Sequence, residues 1–265
     1  MSLVAAWFWG ILLVGATVFL AVAGALLVRR LVTVEVLERQ NEVAGFIHAV
    51  IGVVYAVLLG FTALIVFEAY QKAHDRVEQE ANELADLFRN AQALPDDVRS
   101  ELETQLRAYA RLVVEKEWPA MAERRSSGET WEAYNQLWRT YQRFRPQNEY
   151  ENAWYAQSLT RLNQLGDRRR LRLLSSQIGA PGVMWAVLLG AGVITIGFSF
   201  LFGTRHAAAQ VLMTSGLAMM IGLVLFFILA LDHPFAGIAR VEPDAFHQLA
   251  DIFDVWSQTS AGQPR

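Results

Sequence analysis

The chain has 265 residues, of which 54% are hydrophobic and 18% charged, with a formal net charge of -3 and no cysteine. Such a balance is that of a membrane protein and excludes an ordinary soluble domain, and the near-neutral charge gives no bulk attraction to nucleic acid. Without cysteine there is no disulfide framework, thiolate metal site or cysteine nucleophile.

Four charge-free apolar runs, at residues 3–28, 45–67, 181–203 and 211–231, each reach the roughly 20 residues that a helix needs to cross hydrocarbon. They predict an all-α fold: four transmembrane helices with a helical-bundle insert between the second and third. The expected order is residues 1–68 with helices 1 and 2, 69–180 as the insert, 181–231 with helices 3 and 4, and 232–265 as an acidic tail. A cleavable signal peptide is the competing reading of the first run, but no positive segment precedes it, it is too long, and Arg29 and Arg30 follow it.

The second run carries a polar seam. Asn41, His48, Tyr55 and Thr62 recur every seven residues, and on a helix they fall with Gly45, Gly52, Leu59 and Val66 along one slowly drifting stripe. Beside it runs a stripe of small residues, Ala49, Ala56, Gly60 and Ala63. Small residues let helices approach closely, and polar side chains in a span avoid lipid by facing other helices or a wet cavity. The stripe therefore reads either as the lining of an oligomeric pore, with Leu59 or Val66 as its constriction, or as hydrogen-bonding groups inside a solid bundle. No helix breaker occurs between Thr62 and Ala93, so the second span is expected to run on into the insert as one helix.

Within the insert, 17 basic residues balance 17 acidic ones, which describes a solvated region without preference for an acidic or basic partner. Val77, Ala81, Leu84, Phe88 and Ala91 make one apolar helical face, and Val98, Leu102, Leu106, Tyr109, Val113 and Trp118 make another, bounded by Pro95 and Pro119. Two further helical pieces are expected near Trp131–Phe144 and Glu151–Leu174. Glu80 lies inside the apolar seam, where a charge requires a partner. The Arg168–Arg172 cluster supplies one, so a structural ion pair of Glu80 with Arg168 or Arg172 is expected.

At the end of the last span, LDHPFAG places Asp232 and His233 at the membrane boundary, as a terminating turn or as a gating pair. No zincin, nucleophile-elbow, P-loop or dinucleotide motif occurs, and the five histidines have no ligand spacing. No catalytic residue, cofactor or metal is expected. Basic residues cluster at the insert ends (Lys72, Arg76, Arg161, Arg168, Arg169, Arg170, Arg172), which favours a cytoplasmic insert with both termini inside, while the uncharged N-terminus and the Arg29-Arg30 pair after the first span argue for the opposite orientation.

Taken in order, NEVAGFIHAVIGVVYAVLLGF, Glu80-Ala81, Tyr109 with EKEWP at 115–119, RRRLRLL at 168–174 and LDHPFAG at 231–237 resemble the bestrophin-like integral membrane family of bacteria, formerly a domain of unknown function. Its closing motif more usually has a basic residue where this chain has His233. The resemblance implies similarity to bestrophins, pentameric channels whose second membrane helix lines a narrow neck. It therefore implies a homo-oligomeric ion channel of the bacterial inner membrane, with the bilayer, ions and further copies of itself as partners. A noncatalytic, membrane-anchored interaction module is the alternative. A transporter is weaker, because neither an inverted repeat nor a pair of broken spans is present.

Overall fold

A computed structural model describes the backbone of residues 3–261 and the side chains of residues 7–256. The described residues form ten α-helices and one π-helical turn, with no strand: α1 Leu3–Leu31, α2 Val34–Glu38, α3 Asn41–Ala91, α4 Asp96–Leu112, the π turn Val113–Glu117, α5 Trp118–Ala122, α6 Gly128–Arg143, α7 Glu149–Gln177, α8 Gly182–Ser199, α9 Ala207–Leu231 and α10 Asp244–Ala261. Four of them, α1, α3, α8 and α9, are long and apolar enough to span a membrane.

Two compact units emerge. One contains residues 1–68 and 179–233 with 237–239, and the other contains 69–178, 234–236 and the chain from 240 onward. The 51-residue α3 contributes to both.

In the membrane unit, small residues set the packing. Ala21 and Ala25 of α1 are buried, and Gly222 of α9 lies so close to Val14 that a Cβ there would stand 3.4 Å from the Val14 Cα. Side chains fill from the flanks where backbones stay apart. The Phe200 ring caps Gly24, and the Phe226 ring caps Gly10.

The helical unit has a conventional apolar core. Leu84 and Phe88 of α3, Leu102 and Leu106 of α4, Leu137 of α6 and Leu162 and Leu165 of α7 are fully buried. Local signals start its helices: the Ser127 Oγ accepts the Thr130 N–H at the head of α6, and Asn148 Oδ1 accepts the Glu151 N–H at 2.8 Å at the head of α7.

The structure departs from the sequence expectation at Pro119 and at the C-terminal segment. Pro119 does not end the helical run. It sits in the first turn of α5 directly behind the π turn, and the helical run continues through it without its N–H. Nor are residues 232–265 merely a tail. In α10, Phe246, Leu249 and Phe253 are buried at helical spacing, Phe253 stacks on Phe88 at 4.2 Å, and Arg107 reaches Asp254 at 2.6 Å. The last part of the expected tail, residues 262–265, lies outside the described residues.

Candidate functional site

The seam residues of α3 do not share one environment. Asn41, at the start of the helix, clasps the α8–α9 loop: its Nδ2 donates to the Gly203 carbonyl at 2.8 Å, and its Oδ1 accepts the Gly203 N–H at 2.9 Å. Gly203 is required there, because a Cβ would meet the backbone of Glu38 and the side chain of Leu37. Gly45, His48 and Gly52 are half-buried, and the His48 ring meets Phe202 edge to face at 5.4 Å.

Deeper in the span the stripe turns into the protomer. Tyr55, Leu59, Thr62 and Val66 are all buried. The Tyr55 hydroxyl rests on Gly192 of α8, where a Cβ would stand 2.7 Å from it, and Thr62 Oγ1 donates to the Leu58 carbonyl of its own helix at 2.8 Å. These four side chains, including both expected constrictions Leu59 and Val66, are buried against the rest of the single chain.

The outward face of α3 is the opposite one. At 100° per residue, Phe46, Val50, Val53, Val57 and Leu64 lie roughly 180° from Tyr55, and all five are more than half exposed. Ala49, Ala56 and Gly60 flank them and are exposed as well.

At the far end of the membrane unit, Asp232 follows α9 and is buried. Its carboxylate accepts the Ala180 N–H at 2.6 Å and the Trp185 Nε1–H at 3.3 Å, with His233 Nδ1 at 3.2 Å. It thereby satisfies a free donor just before α8 and ties that helix to the end of α9. His233 packs on Gly179.

The helical unit holds a buried ionic network. Arg172 of α7 binds Glu80 of α3 through two bonds, Nε to Oε2 at 2.6 Å and Nη2 to Oε1 at 2.9 Å, and reaches Glu117 of the π turn at 2.6 Å. Arg169 binds the same Glu117 through Nε and Nη2, and the Tyr109 hydroxyl donates to Glu80 at 2.8 Å. Two carboxylates and two guanidiniums thus cancel. Trp118 lies 5.4 Å from the Arg172 guanidinium, within cation–π range.

Protonation follows from this pairing. Burial alone would lower the Arg172 pKa, but Glu80 and Glu117 outweigh it and raise it above the ordinary arginine value. For Glu117 burial pushes upward, and Arg172 with Arg169 outweighs it and holds the carboxyl below its ordinary range. Burial, reinforced by Glu80, pushes the Tyr109 hydroxyl well up.

Of the two arginines expected beside Glu80, Arg172 makes the contact. Arg168 is half-buried and has no bond to Glu80 among the described contacts. Glu117 and Arg169 were not legible as members of the network. Eight residues of ideal helix turn Glu117 roughly 80° away from Tyr109. The π turn, closed by the Trp118 N–H on the Val113 carbonyl, shifts the register that brings both side chains to one centre.

Among the described residues no three His, Asp or Glu side chains come together as metal ligands.

The model of the Bestrophin-like domain family matches residues 7–246. A crystal structure of a point variant of a bacterial bestrophin homologue from Klebsiella pneumoniae is 13% identical, with a TM-score of 0.70 over 94% of this chain and 99% of that one. A second crystal structure, described only as a membrane-protein variant, is also 13% identical, with a TM-score of 0.69 and the same coverage. At such identity the likeness is one of fold. No curated protein matches the chain in sequence. With the family match spanning the four apolar helices and the whole insert, the chain is an integral membrane protein and belongs to the bestrophin-like family.

Proposed function

We propose that the chain is an ion channel that assembles as a homo-oligomer, a pentamer by analogy with bestrophins, with α3 lining the path. The observation that carries this reading is the exposed, uncharged face of α3 along Phe46, Val50, Val53, Val57 and Leu64. It replaces the polar stripe as the lining, because Tyr55 and Thr62 are turned inward. Apolar rings at a narrow point gate by dewetting, and the small flank Ala49, Ala56 and Gly60 allows neighbouring copies close approach. Asn41, His48 and Asp232 then act as supports that fix α3, α8 and α9 within each copy. The membrane is the bacterial inner membrane, with the insert and both termini in the cytoplasm, a reading supported by the basic residues at the insert ends.

Planar-bilayer recording tests it. Val57→Ser and Leu64→Ser, which wet the constriction, should raise unitary conductance, whereas Tyr55→Phe should leave it unchanged. Silence of the wild type across salts, pH and voltage would sink the channel reading.

A second reading, a noncatalytic membrane-anchored module, rests on the aromatic side chains that the insert leaves open, Trp131 and Tyr150. It requires the Val57 and Leu64 variants to keep full function and changes at Trp131 or Tyr150 to abolish it.

A further inference from the structure

The contact between α1 and α9 closes tightly at Gly222 and opens alongside. There the two helices leave a groove of about 670 Å³, floored by Gly15 and walled by Ile11 and Phe19 of α1 and by Met219 and Leu223 of α9. Its origin is visible in the sequence. Residues 11, 15 and 19 form one i, i+4 ridge of α1, and the glycine in the middle notches it. Nothing stands within 4 Å of where a Gly15 Cβ would be, while Ile11 and Phe19 are both 71% exposed.

Among the described residues no charged, amide or hydroxyl side chain lines the groove, and the Trp7 indole is the one polar-tipped group of that lining. Water would find no adequate set of partners along it, and an empty cleft would forfeit dispersion contacts on every wall. Both helices are membrane spans, so the surrounding medium is hydrocarbon. Along α1 the lining extends from Trp7 to Val22, about 22 Å at the helical rise of 1.5 Å per residue. That exceeds half of the roughly 30 Å hydrocarbon core, so a chain can lie lengthwise in the groove. Trp7 marks one mouth, and an indole at the end of a span sits at headgroup level.

We propose that this groove is a phospholipid site: one acyl chain lies along α1 over Gly15, with its headgroup at the Trp7 end. The site does not depend on whether the protein conducts.

Native mass spectrometry of the full chain, extracted from membranes in mild detergent and washed, reads the outcome. Wild-type protein retains about one phospholipid per protomer, as a groove of this size fits. Gly15→Leu occupies the open floor without a clash and loses that lipid. Gly190→Leu adds the same side chain on the exposed face of α8, where there is equally open space, and keeps it. Equal retention or equal loss in the two variants would overturn the proposal, since the lipid would then be part of the general annulus. An altered oligomer mass in Gly15→Leu with the lipid count unchanged would overturn it too, by assigning the groove to a second copy. A retained free fatty acid or detergent in place of phospholipid counts against it as well.

In vesicles containing chain-brominated phosphatidylcholine, the part of the fluorescence lost in Trp7→Phe should be quenched at a lower mole fraction of brominated lipid in wild type than in Gly15→Leu. Coincident curves are the contrary result.

Discussion

Arg172 is among the most deeply buried side chains of the molecule, and it is held by carboxylates from two segments far apart in sequence. Removing one member of a buried ion pair leaves its partner unpaired in low dielectric, at a cost of about 3–5 kcal/mol, whereas removing both members together is often close to neutral. Arg172→Met should therefore lower thermal stability sharply, and the double variant Glu80→Leu/Arg172→Met should recover much of the loss, because Arg169 still neutralises Glu117. Calorimetry on the four members of the cycle checks this; additive losses would show that the pair is not a closed unit. A second residue-scale consequence concerns high pH. Burial raises the Tyr141 hydroxyl from 10.0 to about 12, so the folded state favours the neutral form. That contribution is complete below pH 10 and is lost as pH rises toward 12. Tyr141→Phe should flatten the fall in stability over that interval, followed by circular dichroism.

At the scale of elements, α3 shows how far a periodic pattern reaches. Its length, its continuation through the insert and the membership of its stripes were legible, because unbroken helical spacing fixes which residues share a face. What each face meets was not legible. The same four residues, Tyr55, Leu59, Thr62 and Val66, suit a wet axis or a neighbouring helix, and their burial in the single chain, with Tyr55 on Gly192, is a fact of packing that the spacing does not carry. The π turn escaped for a related reason: it breaks the period on which such readings depend, and Glu117 moved with it. By contrast α10 was legible in principle from the spacing of Phe246, Leu249 and Phe253, though Asp244, Asp251 and Asp254 in and around that stretch disguised it as a tail. The α3–α8 contact gives a direct comparison. Gly192→Leu forces side-chain atoms into the space that the Tyr55 hydroxyl occupies and should destabilise the protein by about 1–3 kcal/mol. Tyr55→Phe removes a buried hydroxyl that has no hydrogen-bond partner among the described residues, and should be neutral or mildly stabilising. Melting temperatures in detergent give the order; a larger loss in Tyr55→Phe than in Gly192→Leu would contradict this packing.

Across the whole molecule, only 22% of the most apolar window of α3 is buried within the single chain, which leaves its exposed residues to lipid or other copies. Lipid alone would not need two different outward stripes. Bulky Val50, Val53, Val57 and Leu64 lie beside Ala49, Ala56 and Gly60, and in a bilayer small residues matter chiefly where another backbone comes close. An assembly in which each α3 presents its small flank to the next copy and its bulky stripe to the axis uses both. Gly60 is the discriminating position: a Cβ there meets nothing within 4 Å in the single chain, so a larger residue does not disturb the protomer. Gly60→Leu should leave the melting of the helical unit unchanged yet shift the mass in detergent, measured by light scattering, from oligomer to smaller species, with conductance lost alongside. If Gly60→Leu keeps the wild-type mass while Leu64→Ser still alters conductance, the bulky stripe remains the lining and the contact between copies has to lie on another helix.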